Sequence, residues 1–341
     1  MDKFERYKRQ ITFEGIGEEG QKKISESRVC IIGAGALGSV IANNLCRAGV
    51  GFVRIIDRDI VEKVNLHRQI LFTELDAEEG LPKAEAVHNH LIQINSEIEI
   101  EPIVTDVNSS NVEKYISDVD LVLDGTDNFE TRLLINEACH KHGIKWIYGG
   151  VLTSGGATMN YLMGKNNPCF RCFMPDPPEP GSYETCSTVG VLNSITNIIA
   201  SFETSEALKI LAGADDCVSH EYLAIDTWDN DIDYIEIEKI VDCPVCVQGI
   251  YDLLNSPAGS YSTSLCGHNA WQIVPEGEHK LNLNNIGENL KRAGEVKVTK
   301  FSLSFSDGKA EFRLFPDGRA IINNIEDAAS ARSIYAEYIG I

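Results

Sequence analysis

Residues 28–59, RVCIIGAGALGSVIANNLCRAGVGFVRIIDRD, constrain the fold more than any other stretch of the chain. A short apolar run enters glycines, a helical stretch of small residues follows, and a second apolar run ends on acids. That is the pattern of one β-α-β unit. In Gly33-Ala34-Gly35-Ala36-Leu37-Gly38 the first glycine allows a turn and the second lets backbone approach a nucleotide, while the third lets the helix pack on the strand. Asp57 lies 22 residues beyond Gly35, at the end of the next strand, where it can accept bonds from ribose hydroxyls. An adenine nucleotide fits this fingerprint, which by itself does not separate NAD, FAD and ATP.

The alternation continues through helix-like PKAEAVHNHLIQIN, strand-like EIEIEPIVTDV and DLVLDGTDN, helix-like FETRLLINEACHKHG and strand-like KWIYGGV. The first half therefore predicts a doubly wound, Rossmann-like α/β sheet with its ligand beyond the carboxyl ends of the strands. Residues 176–187, DPPEPGSYETCS, read as a proline-rich loop that delivers Cys186 to the start of the apolar helix VGVLNSITNIIASFETSEALKILAG. The dipole of such a helix favours a thiolate. Further on, VKVTKFSLSFSDGKAEFRLFPDGRAIINN alternates apolar and polar residues around the hairpin turns SDGK and PDGR, and EDAASARSIYAEYIG closes as a helix. The expected division is a nucleotide-binding domain over residues 1–249 and a small α+β domain over residues 250–341.

Charge narrows the partners. With 51 acidic against 30 basic residues the net charge is −21, which repels a phosphate backbone or an anionic membrane surface and makes nucleic acid and membrane poor partners. The charged start MDKFERYKRQ and the lack of any run of about 18 apolar residues predict a cytoplasmic chain. An acidic protein that handles a triphosphate must gather its cations locally. Asn65-Leu66-His67-Arg68-Gln69 and Pro82-Lys83 place two cations and two amides just after the ribose acid, a cluster for which an oxidoreductase has little use. Arg68 and Lys83 suit charge developing on an α-phosphate and a departing pyrophosphate. In Asp124-Gly125-Thr126-Asp127-Asn128, Asp127 stands where a hard carboxylate can hold Mg²⁺, with Asp124 in reserve. Arg132, on the following helix, is expected in the same electropositive pocket.

Of ten cysteines, four form the pairs Cys169-x-x-Cys172 and Cys243-x-x-Cys246. Each pair supplies two thiolates at a spacing that fits one tetrahedral ion, so structural Zn²⁺ is the natural reading, with redox-active dithiols or unrelated reduced pairs as the alternative. A closed four-thiolate site leaves no position for water, and the metal is assigned no catalytic part. Cys30, Cys46, Cys139 and Cys217 read as core residues, and nothing near Cys266 completes a site.

RYKRQ at 6–10, GAGALG, DRD at 57–59, NLHRQ, PKAEA, DGTDN, the cysteine pairs and the Cys186 loop occur in that order. Over residues 4–248 the chain resembles the ThiF, MoeB and HesA group of E1-like adenylyltransferases, and its length leans toward the longer ThiF-like forms. The resemblance implies an enzyme that uses MgATP to activate the C-terminal Gly-Gly carboxylate of a small ubiquitin-like sulfur-carrier protein. It releases pyrophosphate and leaves an acyl adenylate for thiamine- or molybdopterin-type sulfur transfer. It further implies a homodimer with structural zinc. Carried over by position, Gly33, Gly35 and Ala36 contact the nucleotide through backbone, Ala36 standing where many members have glycine. Asp57 binds ribose, Asn65 and Arg68 bind phosphate or ribose, Lys83 binds phosphate, and Asp127 organises magnesium with Asn128 beside it. Arg9 reaches the phosphates of the partner subunit. Cys186 either joins the activated carrier covalently, or assists sulfur delivery, or is dispensable. Two other readings compete: a noncatalytic E1-like scaffold, against which Arg9, Arg68, Lys83 and Asp127 speak, and an NAD- or FAD-dependent oxidoreductase, supported only by the glycine loop.

Overall fold

The computed structural model describes residues 4–176, 184–256, 261–265, 270–275, 277, 279–325 and 327–340. Most of the proline-rich loop and Cys266 lie outside the described residues. The chain divides into two compact units, Met1–Pro178 with Gly190–Ser256, and Glu179–Val189 with Pro257–Ile341. No helix among the described residues is long and apolar enough to cross a membrane.

The first unit begins with α1 (Lys8–Ile11) and α2 (Gly17–Glu26). Its sheet then takes β1 (Arg28–Ile32), β2 (Phe52–Asp57), β3 (Glu99–Val104), β4 (Leu121–Asp124) and β5 (Lys145–Leu152), all parallel, in the order β3-β2-β1-β4-β5. The crossovers hold α3 (Ala36–Ala48), α4 (Glu74–Glu79), α5 (Lys83–Ile94), α6 (Val112–Ile116) and α7 (Phe129–His142). In β1, Val29 and Ile31 belong to one apolar layer, with Leu37, Val87 and Ile199, and Cys30 and Ile32 to the other, with Val112, Ile135 and Ala138. A sheet buried on both faces needs the unbroken apolar runs that the sequence shows.

Beyond β5 the doubly wound pattern stops. β6 (Gly155–Tyr161), β7 (Tyr222–Asp226) and β8 (Asp231–Ile235) extend the sheet antiparallel. The short α8 (Phe170–Phe173) carries the first cysteine pair at its ends. One expectation fails here. Cys186 opens a one-turn helix, α9 (Cys186–Val189), and the long helix α10 (Asn193–Ala212) starts seven residues later. The break has a physical cause: Gly190 is left-handed at φ +83°, and Thr153 pins the segment by donating to Gly190 O at 3.0 Å and accepting from Leu192 N at 2.8 Å. The dipole of α10 therefore acts on Asn193, not on Cys186.

The second unit holds a six-stranded antiparallel sheet in the order β11-β12-β13-β14-β10-β9. Besides α9, its elements are β9 (Tyr261–Leu265), β10 (Ala270–Val274), α11 (Leu283–Leu290), β11 (Glu295–Val298), β12 (Leu303–Ser306), β13 (Glu311–Leu314), β14 (Ala320–Asn323) and α12 (Ala328–Tyr338). The turns at SDGK and PDGR join β12 to β13 and β13 to β14, and Leu303, Phe305, Phe312, Leu314 and Ile322 form its core with Leu283 and Tyr335.

Candidate active site and metal centre

Three glycines make the floor of the strand-end site. Gly33 is at φ +95°, and a Cβ there would strike Gly125 O; a Cβ on Gly38 would strike Gly33 O, and one on Gly125 would strike Gly33 O in turn. The protein itself forbids side chains at these positions. Gly35 differs, because a Cβ built there meets only Gln69 Nε2, at 3.7 Å. No neighbouring atom of this unit occupies that space. Gly35 is also the N-cap of α3 and offers no side-chain cap, so the first N–H groups of a 13-residue helix face an unfilled cradle. That combination favours an anion. Gln69 is buried beside it with Oε1 unpartnered.

Asp57 accepts the Ala34 N–H and the Asp59 N–H, each at 2.7 Å, which fixes the loop and the carboxylate together. Burial raises its pKa, and Lys83 opposes the rise. Lys83 is itself buried at the start of α5, 3.0 Å from Asp59 Oδ2, and its N–H donates to Asp59 O at 2.9 Å. Burial works against the ammonium, but Asp59 and Asp57 outweigh it and hold the Lys83 pKa above its usual range. Arg68 is half-buried and has no ion-pair partner among the described residues, and the turn that carries it is closed by Arg68 N–H to Asn65 O at 3.1 Å. Asp127 is exposed at the end of β4. The Asn128 side chain caps α7 by accepting from Thr131 N at 2.9 Å.

Two expectations are corrected. Arg132 does not add positive charge to an open pocket: it is buried and donates to Asp124 Oδ2 at 2.9 Å, Thr126 O at 2.7 Å and Gly149 O at 2.9 Å. Asp124 is correspondingly closed to an ion, since its other oxygen accepts the N–H and hydroxyl of Thr126. Burial raises the Asp124 pKa against the pull of Arg132. The pair organises the β4 terminus from inside.

Arg9 lies far from this cradle within its own chain. Tyr7 packs against Gly49 at the C-terminal end of α3 and is bonded by Asn95 Nδ2 at 2.8 Å, while Gln10 Nε2 donates to Ala48 O at 3.0 Å. The 13 residues of α3 separate that anchor from Gly35 by about 20 Å. Arg9 itself is exposed. Residue order alone missed that Tyr7 and Gln10 are the anchors of RYKRQ. It missed Asp59 as the partner of Lys83 and Gly125 as the third member of the glycine contact, although DRD and DGTDN were both in view.

The four paired cysteines converge. All four Sγ atoms lie within 4.8 Å of one another, with Cys169 to Cys243 at 3.7 Å and Cys172 to Cys246 at 3.5 Å. Thiolates around tetrahedral zinc at a Zn–S distance of about 2.3 Å are about 3.8 Å apart, so the donor set fits that ion. Without an ion the four sulfurs do not share one protonation state. The hydrogen bond between Cys169 and Cys172 raises the first and draws the second down to about 4, and burial pushes Cys246 up to about 12. Three of the four are buried and Cys246 is partly so, and all four could be thiolates together only around a cation.

Residues 7–245 match the sequence profile described as the ThiF family. The chain is 38% identical over 338 residues to the sulfur carrier protein ThiS adenylyltransferase of Bacillus subtilis (strain 168), covering 98% of this chain and 99% of that one. It is 34% identical over 248 residues to the SAMP-activating enzyme E1 of Haloferax volcanii, covering 73% and 90%. The sulfur carrier protein adenylyltransferase of Thermus thermophilus is 33% identical over 249 residues, covering 72% and 91%. Among solved structures, E. coli MccB with ATP superposes with a TM-score of 0.62 at 22% identity over 71% of this chain and 74% of that one, a likeness of fold.

Proposed function

The chain belongs to the ThiF family, and from that premise we propose that it is an adenylyltransferase that uses ATP to activate the C-terminal Gly-Gly carboxylate of a ubiquitin-like sulfur-carrier protein. The sulfur transfer it serves is of the thiamine or molybdopterin type. The observation that carries this reading is the uncapped, open start of α3 at Gly35, in a loop tied to Asp57 through the Ala34 N–H and next to Gln69, the neighbour of Arg68 in sequence.

The chemistry follows from charge. A carboxylate oxygen of the carrier attacks the α-phosphorus of ATP, the bond from that phosphorus to the pyrophosphate oxygen breaks, and an acyl adenylate remains. The carboxylate is ionised at neutral pH, so no general base is needed. Both reactants are anions, and the N–H groups of α3, Arg68 and Lys83 supply the neutralisation. Gly33, Gly35 and Ala36 receive the nucleotide through backbone, Asp57 holds ribose, and Asn65 lies beside ribose or phosphate. Asp127, with Asn128 beside it, would hold Mg²⁺, which when bound neutralises the phosphates. Arg9 cannot reach its own pocket across the length of α3, and we assign it to the pocket of a partner in a homodimer. Cys169, Cys172, Cys243 and Cys246 would hold Zn²⁺ as a structural ion.

The test is incubation with ATP and carriers ending in Gly-Gly, followed by intact-mass measurement. A gain of one AMP on a carrier is expected, and no affinity for ATP would sink the reading. Cys186→Ser should leave AMP transfer intact while removing any covalent carrier adduct; loss of AMP transfer would place Cys186 in the adenylation step instead.

A further inference from the structure

A cavity of about 220 Å³ opens against α7 beyond its first turn. Leu133, Asn136 and Glu137 line it from α7 at i, i+3 and i+4, and so share one helix face. The facing wall comes from the cysteine loops: Arg171 lies between Cys169 and Cys172, and Val245 lies between Cys243 and Cys246. Asn136 lies seven residues past Phe129, the first residue of α7, about 10 Å along the helix axis, and none of the residues assigned to the ATP site lines this space.

Its lining has three properties that together select a ligand. Asn136 is 1% exposed; its Oδ1 accepts the Phe170 N–H at 2.8 Å, while its Nδ2 has no partner. A buried donor left unmet costs about 1–3 kcal/mol, so the Asn136 amide asks for an acceptor. Both signs of charge line it: Arg171 together with Glu137 and Asp252. Glu137 is held in place by the Leu254 N–H at 2.9 Å. The rest of the wall is aliphatic, with Leu133, Val245, Ile250 and Leu253. A simple anion would face two carboxylates, a simple cation would face a guanidinium, and a purely apolar molecule would leave Asn136 unmet. Pockets for drug-sized ligands begin at about 300 Å³, which bounds the ligand to a small metabolite; water alone would number roughly seven molecules at about 30 Å³ each.

We propose that this cavity binds a free aliphatic α-amino acid. Its carboxylate meets Arg171 and the Asn136 amide, its ammonium meets Glu137 and Asp252, and its side chain packs against Leu133, Val245 and Ile250. Occupancy bears on α7, the helix whose first turn follows Asp127 and carries Arg132 to the end of β4.

The proposal is tested by calorimetric titration of the full zinc-loaded chain, without ATP or carrier, so that its outcome is independent of the adenylation reading. L-leucine is expected to saturate one site per chain. L-leucinamide lacks the carboxylate and 4-methylpentanoate lacks the ammonium; each should bind at least about tenfold more weakly. Val245→Trp should fill the cavity and remove binding, and Asp252→Asn, an exposed position that leaves the fold untouched, should weaken L-leucine several-fold. Three results would overturn it: no saturation by L-leucine, L-valine, L-methionine or L-cysteine up to about 20 mM; equal binding of the truncated compounds; or binding unchanged in a folded Val245→Trp. Any of them would leave a water-filled cavity.

Discussion

The strand-end pocket and the cysteine cluster belong to the same unit but are built on opposite terms. At the pocket the protein leaves atoms out: Gly35 has no near neighbour but Gln69, Arg68 has no described counter-charge, and Asp127 is exposed. At the cluster it packs atoms in: Cys243 is fully buried and Val245, Ile240 and Tyr251 close around the sulfurs. Emptiness at the pocket serves a ligand that comes and goes. Closure at the cluster suits one that stays, as the proposed zinc would. Substitutions at the first site should therefore be felt in turnover, and at the second in stability.

Lys83 is where this contrast is most easily broken, because it belongs to the pocket yet is buried. Lys83→Met should lower carrier-dependent pyrophosphate exchange by about 100-fold or more and also lower the melting temperature, since Asp57 and Asp59 lose their cation. Asp127→Ala, at an exposed position, should match the loss of exchange without the loss of stability; undiminished exchange would remove Asp127 from its metal role. Cys172→Ser should reduce bound zinc and destabilise the chain by about 3 kcal/mol or more, and a variant retaining one full zinc per chain would refute the four-sulfur site. The sharpest comparison lies within one loop. Gly38→Ala, which drives a methyl group into Gly33 O, should cost about 1–3 kcal/mol. Gly35→Ala should leave the melting temperature nearly unchanged while weakening ATP. If both variants behave alike, the distinction between a packed glycine and an open one fails.

The smallest effect expected is in acid. The hydrogen bond from Arg54, aided by Arg28, holds the Asp118 pKa down to about 2 against an ordinary carboxylate value near 4. A depressed pKa means that this tether is fully present above about pH 4 and is lost as the pH falls toward 2. Asp118→Asn should flatten the acid limb of a melting-temperature profile between those values. An unchanged limb would show that the tether adds nothing.

Much of this was legible in the sequence where the signal is local. The β-α-β unit from Val29 to Asp57 announces itself through apolar runs and glycine spacing, and each cysteine pair through its two-residue gap. What stayed hidden depends on residues distant in the chain. β8 has no reading from sequence; DIDYI is exposed on both faces and is held at the sheet edge by its pairing with β7. Gly149 reads as an ordinary strand residue, yet a Cβ there would strike the carboxyl of Glu203, an acid buried in α10 whose pKa burial raises well above its usual value. The charge of Arg132 looks available in a sequence and is consumed by Asp124 in the fold. The start of the long helix was placed too early because the effect of Gly190 is fixed by Thr153, 37 residues away.

The two cysteine pairs stand 74 positions apart, from Cys169 to Cys243, and an ion between them turns the intervening chain into a closed ring that contains α10, β7 and β8. By the chain-entropy relation for a cross-link, closing a ring of that size restricts the unfolded chain by about 4–5 kcal/mol. A chelator would then act far from the sulfurs it strips: freed of its knot, the ring carries the antiparallel flank of the sheet, and that flank should be the first to admit exchange of its amide protons.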